Sequence, residues 1–265
     1  MTSASRAPRR IVCLTEETTE TLYLLGQGDR IVGVSAYTMR PPEARTKPRV
    51  SSFIDANFDR ILELRPDLVL GFSDLQADVS AELIRRGVAV LTFNQRTVGE
   101  ILDMIQMLGG LVGCDAAAAG LVARLTRTLD EIRASAAAFP RRPRAFFEEW
   151  DEPLISCIQW VHDLLVIAGA EPVFPERAAG RLAKERFVDP AEVVARDPEV
   201  IFASWCGKRL RAERIRQRPG WDRIAAVRHG HIFEIPSVTI LQPGPAALTD
   251  GVTQMHAHLR AIVGR

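Results

Sequence analysis

Carboxylates gather in two places where chemistry is feasible. Glu16 and Glu17 occupy the polar turn Thr15-Glu16-Glu17-Thr18 after a short branched run, and Glu148, Glu149, Asp151 and Glu152 crowd the stretch after another. Acids just before a helix are favoured by its N-terminal dipole, so Glu16 and Glu17 are candidate ligand contacts, and Glu17 alternatively caps the helix. The second group makes an acidic mouth suited to a cation, an amine or a hydroxyl-rich ligand, or else a solvated loop. Aromatic rings recur at comparable points: Tyr37, Phe53, Phe72, Trp150 and Trp205 all follow predicted strands. Flat rings suit a large planar ligand, although Phe53 and Phe72 also fit as core rings at strand ends. Only 6% of the chain is aromatic, which directs attention to this recurrence. Cys206, between Trp205 and Gly207, joins the candidates.

Bare-metal chemistry fits these residues poorly. His229 and His231 have strand spacing, His256 and His258 on one helix do not share a face, and His162 begins another helix. None forms the i, i+4 pair of a metal-binding helix, so no metal site is expected. Catalysis is not expected either. The chain has no G-x-S-x-G elbow and no phosphate-cradling glycine loop. Cys206 has no His beside it in sequence and reads better as a small buried residue at a strand end. Cys13, Cys114, Cys157 and Cys206 are widely spaced and form no CxxC pair, which argues against a zinc knuckle and leaves the redox compartment open.

The elements that position these residues alternate between strand and helix. Residues 53–72 set the pattern: an amphipathic helix with Ile61, Leu62 and Leu64 on its apolar stripe, a stop at Pro66, and the apolar strand Leu68-Val69-Leu70. The same order returns at 190–205, with Ala191 and Asp59 each seven residues before a turn proline, Pro198 and Pro66. One helix–strand phrase used twice predicts two similar lobes. Before and between these come predicted strands at 10–14, 30–34, 50–53 and 88–93, with helices at 19–25 and 77–86. Thr97-x-x-Glu100 forms a capping box for the next helix, whose end is weakened by Gly109, Gly110 and Gly113. Asp115 then starts a helix to about Phe139, roughly 36 Å long. Further on, a strand is predicted at 144–148, a polar loop at 149–156, a helix at 160–168, a basic helix at 208–217, a strand at 230–235 and a closing helix at 251–263. This alternation means mostly parallel sheets covered by helices. The expected division is 1–95, a bridging helical segment 96–140, and 141–265.

Composition agrees with a soluble globular chain of 265 residues, 47% hydrophobic and 25% charged. Thirty-four Lys and Arg against thirty-three Asp and Glu leave no electrostatic case for nucleic acid. No apolar run is long enough to span a membrane. The opening MTSASRAPRR lacks the apolar core of a secretory signal, which predicts a cytoplasmic location, or a periplasmic one if a leader was trimmed.

RIVCLTEETTETLYLLG, DRIVGVSAYTMRPPEA, NFDRILELRPDLVLGF, the bridging helix and AEVVARDPEVIF occur in an order that resembles the substrate-binding proteins of cobalamin and iron-siderophore importers. The resemblance covers the chain from Arg10 onward. It implies two α/β lobes joined by a rigid helix, with ligand in the cleft between them. Open α/β sheets bind ligands beyond the carboxyl ends of their strands. In the first lobe that directs attention to Thr15–Glu17, Tyr37, Phe53, Phe72-Ser73 and Asn94-Gln95. In the second it singles out Trp150–Glu152, Trp205-Cys206 and Pro236–Thr239. Phe53 stands where the cobalamin binder of this family carries a ligand-facing ring.

The function implied is reversible binding of a metal chelate for an ABC importer, a corrinoid first and a ferric siderophore or haem second. No intrinsic cofactor is expected, and the protein is expected to be a monomer. The resemblance also implies an acidic residue on each lobe that docks onto permease arginines. Asp59 supplies one, but Ala191 stands at the second place, with Glu192 turned about 100° around the helix. Two other classes remain open on these residues: a cytoplasmic corrinoid-handling or sensor protein, and an enzyme acting on such a ligand.

Overall fold

A computed structural model describes residues 7–264. The opening residues 1–6, on which the expectation about a leader partly rests, lie outside that range. The described chain divides into two compact units, one built from residues up to 95 with 99–125, the other from 96–98 with 126 onward.

In the first unit, β1 (Ile11–Cys13), β2 (Ile31–Ser35), β3 (Arg49–Ser51), β4 (Leu68–Phe72) and β5 (Val90–Phe93) form one parallel sheet in the order β3-β2-β1-β4-β5. Strands β1 and β4 are buried along their whole length, as covered parallel strands must be. Helices α1 (Glu16–Leu24), α2 (Phe58–Glu63), α3 (Ala77–Arg85), α4 (Val98–Leu111) and the first part of α5 (Asp115–Ala137) accompany it. Val12, Leu14, Val50, Ile61, Val69 and Leu83 make its core. The strand order reverses between β1 and β4, so the carboxyl ends of these two strands flank the switch point.

The second unit holds β6 (Arg144–Asp151), β7 (Leu154–Ser156), β8 (Glu171–Pro172), β9 (Val200–Ala203) and β10 (Ile232–Glu234), ordered β10-β9-β6-β7 with β8 beside the start of β6. All its pairings are parallel except β6 with β7. Its helices are α6 (Gln159–Ala168), α7 (Pro190–Arg196), α8 (Ala212–Arg216), α9 (Ala225–Arg228), α10 (Ser237–Ile240) and α11 (Val252–Val263). Phe146 anchors the core, edge-on to Trp221 at 6.3 Å and to Phe174 at 5.6 Å between ring centroids. A fully buried Phe contributes roughly 1.5–3 kcal/mol.

The structure departs from the sequence expectation at several places. Glu16, Glu17 and Thr18 are in the first turns of α1, not in a turn before it: Thr15 is the extended residue at the N-cap and the helix starts one residue on. Residues 149–156 form a hairpin, not a loop, with Trp150 opposite Ile155 and Asp151 opposite Leu154. The basic helix shortens to Ala212–Arg216. Helix α4 ends at Leu111, just past Gly109 and Gly110, where the glycines are expected to weaken it. A Cβ at Gly109 would lie 2.2 Å from the Ala118 Cβ of α5, so the missing side chain is what lets the two helices touch. Helix α5, about 34 Å long, crosses from one unit into the other.

Candidate functional site

In the first unit, strand ends and the α1 N-terminus bring buried acids together. Thr15 precedes α1 in extended conformation and donates its hydroxyl to Glu17 Oε1 at 2.5 Å. Ser35, closing β2, donates to Glu16 Oε1 at 2.9 Å, and Arg40 pairs with Glu20 at 3.0 Å. Glu16, Glu17 and Glu20 are all buried. Burial, with the neighbouring Glu16 charge adding to it, pushes the Glu17 carboxyl up to about 8, so it is protonated at neutral pH. Glu17 is thus a neutral hydrogen-bonding group inside the fold. Beyond these acids, Tyr37 and Phe53 stand 51% and 38% exposed past the ends of the adjacent strands β2 and β3. Phe72 is a core ring at 4% exposure.

Gln76 is the residue the sequence expectation missed. Its side chain is buried, accepts from the Phe72 N–H at 2.9 Å and donates to the Phe53 carbonyl at 2.8 Å. It therefore ties the loop after β3 to the end of β4 and sets where Phe53 can stand. A lone Gln after a strand gives no sequence signal for that clamp. Past the end of β5, Asn94 is exposed and Gln95 buried.

In the second unit the acidic mouth is largely neutralised. Glu148 is fully buried, receives two hydrogen bonds from Arg218 at 2.6 and 2.8 Å, and accepts from Trp205 Nε1 at 2.9 Å. Burial still pushes its carboxyl upward, against the lowering effect of Arg218. Glu149 is gripped by both terminal nitrogens of Arg186. Asp151 lies 2.9 Å from Arg214 and 3.5 Å from Lys208. Glu152 is exposed, and its carbonyl accepts from Trp150 Nε1 at 2.8 Å. Trp205 is buried at 2% exposure, while Trp150 is half-buried with the Lys208 ammonium 3.8 Å from its ring centre. Cys206 is exposed and outside any disulfide. Ser237–Ile240, past β10, is helical, with Thr239 buried.

Cys13, Cys157 and His256 have structural settings. Burial pushes the Cys13 and Cys157 thiols up to about 12, far from a thiolate nucleophile. His256 is held between the Ala168 carbonyl and Ser135 Oγ, both at 2.9 Å, and stacks on Phe139. Among the described residues, no group of three metal-ligating side chains comes together.

Asp59 and Ala191 occupy the same position of two capped helices. Asn57 caps α2 through the Arg60 N–H, and Asp189 caps α7 through the Ala191 N–H. Each of the two residues is thus second in its helix. The Asp59 side chain is 89% exposed and lies 3.0 Å from Arg86. Ala191 is exposed and Glu192 half-buried.

Relatives match along nearly all of this chain. The ABC transporter substrate-binding lipoprotein YvrC of Bacillus subtilis, itself uncharacterised, is 27% identical over 259 residues, covering 94% of this chain and 79% of its own. A vitamin B12-binding protein of Vibrio parahaemolyticus is 25% identical over 267 residues, covering 99% of this chain and 93% of its own. The crystal structure of a periplasmic heme-binding protein from Pseudomonas aeruginosa has the same fold, with a TM-score of 0.82 at 20% identity, covering 97% of this chain and 94% of that one. The family model for periplasmic binding proteins matches residues 11–239, and the chain belongs to that family.

Proposed function

We propose that this protein binds a metal chelate reversibly as the substrate-binding component of an ABC importer. The observation that carries the ligand class is the exposed aromatic pair Tyr37 and Phe53, past the ends of neighbouring parallel strands in a chain poor in aromatic residues. Two flat rings at strand ends suit a large planar ligand. The near full-length likeness to a vitamin B12-binding protein supports a corrinoid, and the shared fold of a heme-binding protein keeps haem beside it. Glu16, Trp150, Glu152 and Cys206 are further proposed contacts, and neutral Glu17, buried at 1% exposure, is a proposed support. Buried Phe72 and Trp205 would serve as supports behind the surface, and Asp151 acts through its pairing with Lys208 and Arg214.

Binding without chemical change is the reading that the family favours, and we propose that it needs no resident cofactor. Relatives described as periplasmic or as lipoproteins favour a place outside the cytoplasm. The cytoplasmic location expected from the opening residues has no support from them. Among the described residues, no helix is long and apolar enough to cross a membrane. Asp59 is the proposed docking carboxylate for a permease.

Absorbance titration with cyanocobalamin, cobinamide, hemin and ferric siderophores tests the proposal. At least one should bind far tighter than about millimolar. Affinity no better than that for every chelate, or turnover of a chelate seen by mass spectrometry, would overturn it.

A further inference from the structure

In the first unit's sheet, β3 and β4 stand three strand spacings apart, about 14 Å in a flat sheet. The chain after β3 nevertheless reaches the end of β4, in two steps. Ser51, the last residue of β3, donates its hydroxyl to the Leu14 carbonyl just past β1, at 3.3 Å. Residues 51–56 then double back: Ser51 bridges Ala56, the Ser52 N–H donates to the Asp55 carbonyl at 2.8 Å, and Phe53 and Ile54 form the tip. Both tip side chains are exposed, at 38% and 61%. Gln76 holds this tip from the β4 side, donating to the Phe53 carbonyl at 2.8 Å while it accepts the Phe72 N–H at 2.9 Å. The amide fits only one way round, because the N–H needs an acceptor and the carbonyl a donor. The corner around it is shaped for that purpose. Ser73 takes a left-handed backbone at φ 63°, donates its N–H to the Phe93 carbonyl at 2.7 Å and accepts the Leu75 N–H on its hydroxyl at 3.3 Å. A Cβ at Gly71 would lie 3.0 Å from Gln76 Oε1, so glycine there leaves the amide its place.

We propose that Gln76 is a positioning residue for ligand binding: it keeps the Phe53 ring preformed over the carboxyl ends of β1 and β4, where the strand order reverses. This rests on the chelate-binding reading above and adds the residue that sets its affinity without touching the ligand. A two-residue tip with exposed apolar side chains has little packing of its own to hold it. Released from Gln76, it would have to be ordered when the ligand arrives, and each residue so ordered weakens binding on the order of tenfold. At 1% exposure Gln76 is out of reach of a ligand, so its whole influence passes through the Phe53 backbone.

Absorbance titration of the full chain with cyanocobalamin and with hemin, in wild type and variants, tests this. Gln76→Leu removes both hydrogen bonds and should weaken binding about tenfold. In a Phe53→Ala background the same substitution should cost less than about twofold, because the ring it positions is gone. Gln76→Glu gives a reading that does not depend on how well Gln76→Leu folds. An ionised carboxylate still accepts the Phe72 N–H but cannot donate to the Phe53 carbonyl, whereas a protonated carboxyl does both. Relative to wild type at the same pH, Gln76→Glu should therefore bind about tenfold more weakly at pH 9 and within about twofold at pH 5, with burial raising the pKa at which it recovers. Unchanged affinity in both single variants would overturn this inference and leave chelate binding intact. So would a Gln76→Glu loss equal at both pH values, or a Gln76→Leu loss undiminished without the Phe53 ring. Absence of binding to either chelate by the wild type would overturn both readings.

Discussion

Arg65 and Asp197 are the same residue of one structural phrase used twice. Each follows a short helix in the left-handed region, at φ 45° and 40°, and each is succeeded by a proline. The likeness continues past the prolines. Asp67 and Glu199 donate their N–H groups to the carbonyls of Arg10 and Arg144, at 2.9 and 2.8 Å. Their carboxylates accept the N–H groups of the same two residues, at 2.9 and 3.0 Å. The parallel pairings Ile11 with Leu68 and Ala145 with Val200 begin one residue further on. In each unit this corner fixes the register of two central strands, and so where their carboxyl ends stand.

The two copies should differ in their response to glycine. Left-handed backbone is costly for a residue with a Cβ, and among the described residues the exposed Arg65 side chain makes no hydrogen bond or ion pair that offsets it. Arg65→Gly should therefore raise stability slightly, by about 0.5 kcal/mol, because glycine's unfolded-state entropy cancels part of the relief. Asp197 also accepts the Ala225 N–H at 2.7 Å, so Asp197→Gly should destabilise by about 1 kcal/mol despite the same relief. Urea melts of both variants check the opposite signs.

The contact between α4 and α5 makes a second prediction. Gly109→Ala forces a Cβ to within 2.2 Å of Ala118 and should cost about 1–3 kcal/mol. Adding Ala118→Gly should recover more than its own effect on wild type subtracts, giving a coupling energy that a double-mutant cycle reads. Additive losses would mean that the helices simply separate.

Glu17 should give stability a pH dependence of definite sign. Its folded pKa, about 8, lies above the ordinary 4.5, so folding retains a proton that the unfolded chain releases. Below about pH 4.5 both states are protonated and the group contributes no difference. Between 4.5 and 8 stability falls as pH rises, and above 8 the loss, on the order of a few kcal/mol, is complete. Glu17→Gln keeps the shape and removes the titration. It should match wild type near pH 4, exceed it near pH 8, and flatten the curve between. Parallel curves for the two proteins would show that Glu17 is already ionised in the fold.

The buried pair Glu148 and Arg218 should be far more sensitive to loss of one partner than of both. Arg218→Met leaves a carboxylate at 0% exposure with Trp205 as its remaining donor and should cost roughly 3–5 kcal/mol. Glu148→Gln together with Arg218→Met should recover much of it. Chemical denaturation of the two variants reads the difference directly.

Much of the fold is written in local pattern, and much of the site is not. Proline stops, apolar strands and the repeated phrase are short-range signals, which is why Pro190–Arg196 and Val200–Ala203 appear where expected. The fate of a charge is long-range. Glu148 meets Arg218 across 70 residues, Asp151 meets Lys208 across 57, and Gln76 reaches Phe53 across 23. In sequence those acids look like an open mouth, because nothing local tells a solvated carboxylate from one that the fold will neutralise. Tyr37 and Phe53 remain exposed while Phe72 and Trp205 are buried, although all four stand at or just past strand ends. Sequence position marks the strand end; packing against neighbours decides which ring faces out.

Permease docking provides the last prediction. Two separated carboxylates would fix orientation as well as attraction, because each contact constrains the other. Asp59 supplies one, with its charge partly screened by Arg86 at 3.0 Å, and Ala191 at the matching helix position supplies none. Glu192, one residue on and half-buried, points about 100° away around α7. Association with a cobalamin-type permease should therefore be weak, strengthened by Ala191→Glu and little changed by Asp59→Ala. Exposed charges of this kind act mainly on the association rate and are screened by salt, so surface plasmon resonance at low ionic strength is the appropriate measurement. Tight association of the unmodified protein, abolished by Asp59→Ala, would show that a single carboxylate suffices and that the second lobe docks by other means.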